Sequence, residues 1–196
     1  MGIPNWIRKS AAATLLLAAS TQAAAQWTLD AAQSQLSFVT VKAEHIAEVH
    51  SFSRLEGGID AQGSAVLSID LTSVETGIAI RNERMQAMLF ETGMYPKAEV
   101  SAEVDLNSVQ ALALGESASL DAALSLSMHG ANISLEAPVL VTRVSDGLRV
   151  ATLAPIIVAA DSLGLVAGVE SLREIAGLPS ISRSVPVTFS LKYVAQ

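Results

Sequence analysis

The sequence predicts a mainly β domain, folded as an antiparallel barrel or sandwich, with two short helices. Apolar and polar residues alternate along many short segments, the pattern of strands with one buried face. Glycine, asparagine and aspartate residues separate several of these segments, as hairpin turns require. In two further segments the apolar residues recur every three or four positions, as in amphipathic helices.

The alternating segments begin after Trp27 and continue to the end of the chain. They are residues 36–41, 66–71, 100–106, 120–128, 133–137, 139–143, 148–152 and 185–194. Turns are predicted at residues 57–58, 62–63, 129–132 and 145–147. Many short strands with such turns are typical of a barrel or a sandwich.

The first helix is predicted over residues 81–90, where Met85, Met88 and Leu89 share one face until Gly93 ends the run. The second is predicted to begin near Asp161 and Ser162, either of which can cap it. Its apolar face consists of Leu165, Val169, Leu172 and Ala176.

Composition limits the classes of function. The chain has 196 residues, of which 51% are hydrophobic, and its formal charge is 12 − 19 = −7. This length fits one domain. The absence of cysteine excludes disulfides and thiolate metal sites. Acidic residues outnumber basic ones, so the chain has no excess of basic residues to contact nucleic acid. We therefore predict no nucleic-acid partner.

Residues 1–25 have the layout of a secretory signal peptide. Arg8 and Lys9 precede a short apolar run, and Ala23 and Ala25 are the small residues that cleavage requires. We predict cleavage after Ala25, which leaves residues 26–196 as an exported, periplasmic domain. An uncleaved anchor is disfavoured because the apolar run is too short to span a bilayer core of about 30 Å.

Few residues indicate catalysis. The one acid and histidine cluster contains Glu44, His45, Glu48 and His50, but its spacing is poor for a metal ion because His45 and His50 point to opposite faces of a strand. His129 is expected in a hairpin turn. The sequence has no Gly-x-Ser-x-Gly motif and no glycine-rich phosphate loop. We predict no cofactor, no metal ion and no enzymatic activity; acid–base catalysis by His50 and a nearby carboxylate is the alternative.

The first predicted helix leaves two interpretations open. Arg81 and Arg84 either form local ion pairs with Glu83 on a solvated face or contact an anionic headgroup. The apolar stripe of this helix is either ordinary core or the wall of a lipid cavity, for which flexible methionine is suited. No converging charged pocket is evident in the sequence.

An ordered series of short strings extends through the mature chain. Its centre is Ser-Val-Glu-Thr-Gly at 73–77, followed by Ile-Arg-Asn-Glu-Arg-Met at 80–85, Leu-Phe at 89–90 and Tyr-Pro-x-Ala at 95–98. Further strings lie at 48–52, 124–126, 129–130, 138–139 and 185–189. Together they resemble the YceI-like family over nearly all of the mature chain. Asp121 departs from the pattern, since a strand glycine is expected there.

The resemblance implies an all-β fold, an extended lipocalin-like antiparallel barrel of about eight strands. Such a barrel encloses an elongated apolar ligand, namely a polyisoprenoid, an isoprenoid quinone or precursor, or a fatty amide. The implied role is that of a binding or carrier protein, with transient contact to a membrane or a membrane protein. A filled barrel with a structural or stress-response role is the alternative, and pairing into a homodimer is left open.

On this resemblance, residues of the strands and of both helices are expected to line the cavity. They are Phe38, His50, Phe52, Ile78, Ile80, Met85, Met88, Leu89, Phe90, Leu165, Val169 and Leu172. Arg81 and Arg84 are the candidates for headgroup contact. His50 and Phe52 are placed at the start of a strand near the barrel mouth.

Overall fold

The computed structural model describes residues 25–196, so the predicted signal peptide lies outside the described residues except for Ala25. The strands are β1 (Ala25–Leu29), β2 (Gln35–Lys42), β3 (Ile46–Phe52), β4 (Leu55–Asp60), β5 (Ser64–Asp70), β6 (Val74–Glu75), β7 (Lys97–Glu103), β8 (Ser117–Met128), β9 (Ala131–Val144), β10 (Gly147–Thr152), β11 (Ile156–Ala159) and β12 (Ser184–Ala195). The helices are α1 (Ala79–Arg84), α2 (Leu106–Ala111) and α3 (Val166–Ile175), and α1 continues as a π-helical segment, Met85–Leu89.

Eight of the strands close into an antiparallel barrel. The pairing order is β1, β4, β5, β7, β8, β9, β10 and β12. Strand β1 then pairs with β12, with Trp27 opposite Ala195 and Leu29 opposite Tyr193, which closes the ring. The lipocalin-like barrel is therefore confirmed, and the sandwich is excluded.

Strand β12 has different neighbours along its two halves, which extends the barrel at one end. Its first half pairs with β11 on one side and β2 on the other, and its second half pairs with β10 and β1. Strands β3 and β6 continue the sheet beyond β2. This outlying part of the sheet supplies one wall of the site described below.

Both predicted helices are present and pack against each other, but the second begins at Val166 rather than near Asp161, which lies in a separate 3-10 turn, Ala160–Leu163, and caps neither segment. The N–H of Phe90 donates to the carbonyl of Met85 at 2.9 Å, the i to i+5 spacing of a π-helix. Helix α3 crosses this segment at Gly168, where a Cβ atom would lie 2.6 Å from the Met88 carbonyl oxygen. A glycine at this position is what lets the two backbones approach so closely.

Three further details of the predicted fold were wrong. Gly57 and Gly58 lie inside β4 rather than in a turn, and a Cβ at Gly57 would be 2.4 Å from the Val66 carbonyl oxygen, so this glycine permits close strand contact. The segments 133–137 and 139–143 form the single strand β9. The strand predicted over 100–106 ends at Glu103, because the Asp105 carboxylate accepts from the Asn107 N–H and begins α2.

Candidate functional site

A cavity of about 430 Å³ lies within the barrel, between the sheet and the helices. This volume is within the range of about 300–1,000 Å³ that is usual for small-molecule sites. Its wall is almost entirely aliphatic and aromatic. The strand residues missed by the sequence analysis include Leu36, Leu67, Ile69, Val100, Leu124 and Leu126. The interior of the barrel is therefore not filled by its own side chains.

Most residues predicted from the resemblance do lie on this wall. They are Phe38, His50, Phe52, Ile78, Ile80, Met85, Leu89, Phe90, Leu165, Val169 and Leu172, together with Arg81 and Arg84. Ile78 and Ile80 are about half exposed and form part of the rim. Phe38 stacks on Phe52 with ring centroids 5.3 Å apart, and Phe52 lies 5.9 Å from Phe90. These three rings join the strand wall to the helical wall.

Met88 is the exception among the predicted residues, since it does not line the cavity. The prediction assumed α-helical spacing, on which Met85, Met88 and Leu89 share a face. The segment is instead a π-helix, and its wider turn brings Leu89 and Phe90 over Met85 and turns Met88 aside. The backbone of Met88 is instead part of the contact with Gly168 of α3.

The cavity wall changes from apolar to charged towards one end. Along β2 the side chains on the wall are, in order, Leu36, Phe38, Thr40 and Lys42. Along β3 they are Phe52, His50 and Glu48, and the register sets Phe38 opposite His50 and Thr40 opposite Glu48. The side chains of Lys42 and Glu48 are about a quarter exposed, whereas Leu36 and Phe38 are buried. We call this charged, partly exposed end the mouth.

His50 lies one step inside the mouth and is only 4% exposed. Its Nε2 atom is 2.9 Å from the Thr40 hydroxyl, and its ring packs against Phe38 at 5.3 Å. Burial lowers the pKa of His50, and the nearby Arg81 lowers it further, so the ring is neutral at pH 7. His50 and Phe52 were predicted at the start of a strand, but they occupy the end of β3.

Arg81 forms ion pairs across the mouth rather than along its own helix. One oxygen of Glu48, Oε2, accepts from Lys42 Nζ at 2.7 Å and from Arg81 Nη1 at 2.8 Å. Arg81 Nη2 also donates to the Thr76 carbonyl. The local pairing with Glu83 is therefore wrong for Arg81, and the expectation of no charged pocket is wrong as well.

The ionisation of Glu48 makes the protein's free energy of unfolding depend on pH. The hydrogen bond from Lys42, aided by Arg81, holds the pKa of Glu48 below its usual value of 4.5. A carboxylate with a depressed pKa stabilises the fold above its usual pKa and loses that effect as the pH falls below it. We therefore expect Glu48→Gln to be less stable than the parent protein in urea unfolding at pH 7, with a smaller difference at about pH 3. A difference of equal size at both pH values would contradict this assignment.

The other two histidines, His45 and His129, do not share a site. His45 is exposed and 3.8 Å from Glu44. His129 lies in the turn between β8 and β9 with a positive φ, as predicted, and its Nε2 is 2.7 Å from a Glu91 oxygen. Within residues 25–196, no group of three or more histidine and acidic side chains could hold a metal ion. In the same range no helix has the length and hydropathy to cross a bilayer.

Comparison with known proteins gives one family and one fold. Residues 27–193 match the model of the YceI-like domain. A polyisoprenoid binding domain from Saccharophagus degradans, implicated in plant cell wall breakdown, is 42% identical, with a TM-score of 0.87 over 88% of this chain and 100% of that chain. BcnA from Burkholderia cenocepacia is 19% identical, with a TM-score of 0.64 over 83% of this chain and 98% of that chain, and supports the fold alone. No curated protein gives a match.

Proposed function

This chain belongs to the YceI-like family, and we propose that it binds one elongated, isoprenoid-type lipid with the tail inside the barrel. The observation that carries the proposal is the apolar cavity of about 430 Å³, open at a charged mouth. Its 42% identical relative is described as a polyisoprenoid binding domain, which supports the same ligand class here. An isoprenoid quinone, its precursor or a fatty amide has a tail of the same character.

The free energies of burial and association favour a ligand with a long tail. Burial of a methylene gains about 0.8 kcal/mol, whereas association costs about 4–15 kcal/mol in lost freedom. Roughly 5 to 20 buried carbons are therefore needed before binding from water is favourable. A lipid already in a bilayer gains much less from the barrel, because its tail leaves one apolar environment for another. This balance suits a carrier or reservoir that exchanges its cargo with a membrane.

We propose binding rather than catalysis, because the polar groups near the mouth are poorly placed for proton transfer. The Glu48 carboxylate is held by Lys42 and Arg81 and has a lowered pKa, which makes it a weak base. His50 is buried and hydrogen bonded to Thr40. The description of the 42% identical relative as a polyisoprenoid binding domain supports the same choice.

We also propose that the protein works in the periplasm after removal of residues 1–25. The basic residues, the short apolar run and the small residues before Gln26 support this location. N-terminal sequencing of protein recovered from the periplasm of a Gram-negative host is expected to start at Gln26. Recovery of chains that begin at Met1 would contradict the proposed processing.

The binding proposal is tested with lipid-free protein and a defined probe. We expect radiolabelled geranylgeraniol to co-elute with the protein in gel filtration at about one molecule per chain, as binding inside the barrel cavity implies. Geraniol, with half the carbons, is the matched control and is expected to bind far more weakly, because its burial barely offsets the cost of association. Elution of geranylgeraniol apart from the folded protein would contradict the proposal.

A further inference from the structure

We propose that the mouth selects lipids with an anionic headgroup, through a cluster made of Lys42, Arg81, His50 and Thr40 around Glu48. We call these five residues the mouth cluster. The inference rests on the proposed function and deepens it, because it assigns a headgroup chemistry to a cavity whose apolar wall distinguishes only tails. Phosphate and carboxylate headgroups share the required chemistry, a negatively charged group of acceptor oxygens.

Charge is the first observation. The charged residues on the cavity wall are Lys42, Glu48, Arg81 and Arg84, three cations and one anion, in a chain whose net charge is −7. A single Glu48 oxygen is shared by Lys42 and Arg81, so one carboxylate compensates only one of the two cations. Beside an apolar cavity such an excess of positive charge is weakly screened and favours an anion.

Hydrogen-bonding capacity is the second observation. Arg81 Nε and His50 Nδ1 are both buried, and neither has a partner within the described part of the chain. Buried polar atoms without partners are rare in folded proteins. When the Thr40 hydroxyl donates to His50 Nε2, the neutral ring carries its proton on Nδ1 and becomes a donor beside Arg81. Both atoms are then donors without an acceptor in the described part of the chain, and both belong to residues that line the cavity near its mouth.

The order of side chains along β2 and β3 gives the orientation. The wall runs from Leu36 and Phe38 to Thr40 and Lys42, so a lipid with its tail on the apolar part has its head at the mouth. The half-exposed Ile78 and Ile80 form an apolar rim through which a tail can pass. A neutral hydroxyl or carbonyl can accept one hydrogen bond here, but it leaves the excess charge uncompensated. An anion satisfies both the donors and the charge.

The test uses three lipids with the same tail: geranylgeraniol, geranylgeranoic acid and geranylgeranyl phosphate, each competing with the radiolabelled alcohol below its micelle concentration. We expect the two anions to bind about tenfold or more tightly than the alcohol, the scale of charge-assisted hydrogen bonds. In Arg81→Gln the ratio of anion affinity to alcohol affinity is expected to fall to about twofold. Arg149→Gln is the matched control, because Arg149 is exposed and bonds Gln33 away from the cavity.

Each outcome decides one claim. Equal binding of all three lipids to the parent protein, or an undiminished preference in Arg81→Gln, would overturn the headgroup inference and leave the lipid-binding proposal standing. Failure of all three to bind the folded protein would instead overturn the proposed function. If Arg81→Gln does not fold, Lys42→Gln provides the same test from the neighbouring strand. Preference for only one anion would support the inference and identify the headgroup as phosphate or carboxylate.

Discussion

Ala98→Phe is expected to weaken lipid loading strongly while the barrel stays folded. Ala98 is 2% exposed on β7, opposite Ile69 of β5, and it is a small residue on the cavity wall. A phenyl ring added there projects into the space that the tail would occupy. Larger side chains in a filled core cost about 1–3 kcal/mol, and the free volume at this position places the cost at the low end. Binding of geranylgeraniol is expected to weaken by about tenfold or more.

The same substitution on the outside of the barrel serves as the control. Ala123 lies on the neighbouring strand β8 with its side chain exposed, and it is absent from the cavity wall. Ala123→Phe is therefore expected to bind geranylgeraniol as the parent protein does. Full loading of folded Ala98→Phe in the gel-filtration assay would mean that the tail lies somewhere other than in this cavity.

Gly168→Ala is expected to destabilise the protein, although alanine is the better helix former by about 1 kcal/mol. Gly168 lies in α3, where the added methyl would come within 2.6 Å of the Met88 carbonyl oxygen and 2.8 Å of the Leu89 Cα. Both obstacles are backbone atoms of the π-helical segment, so the helices must separate. We expect a net loss of about 1–2 kcal/mol and a fall in Tm of several degrees, measured by thermal unfolding.

Gly93→Ala provides the comparison for this stability change. Gly93 has no heavy atom within 4 Å of its would-be Cβ, so its replacement is expected to change stability by no more than about 0.5 kcal/mol. If Gly168→Ala were as stable as Gly93→Ala, the close contact between α3 and the π-helical segment would not hold the helical wall of the cavity in place.

The fold was largely predictable because most strands bury one face. The alternation of apolar and polar residues predicted β2, β5, β8 and β12 to within a few residues. This signal is strong because a strand shifted by one residue would turn its apolar side chains to solvent. Gly57 was misread as a turn residue because a glycine that permits close strand contact has the same sequence signal as one in a turn. The π-helical turn that displaces Met88 left no signal of its own in the spacing of apolar residues.

The site was predictable in its apolar part and in His50, Arg81 and Arg84, but not in the charged partners of Arg81. Helical spacing and the family resemblance identified residues such as Met85 and Val169, which the structure places on the wall. Lys42 and Glu48 were not recognised as partners of Arg81, because they come from separate elements. Only the register of β2 with β3, and the position of α1 against them, brings the three charges together.

The most direct test of a lipid-filled barrel is native mass spectrometry of the protein purified from the exported fraction without added lipid. We expect a species heavier than the chain by the mass of one long-chain lipid, which is released as an isoprenoid on activation. A well-folded protein that shows only the mass of the bare chain, even after incubation with native membranes, would contradict the account.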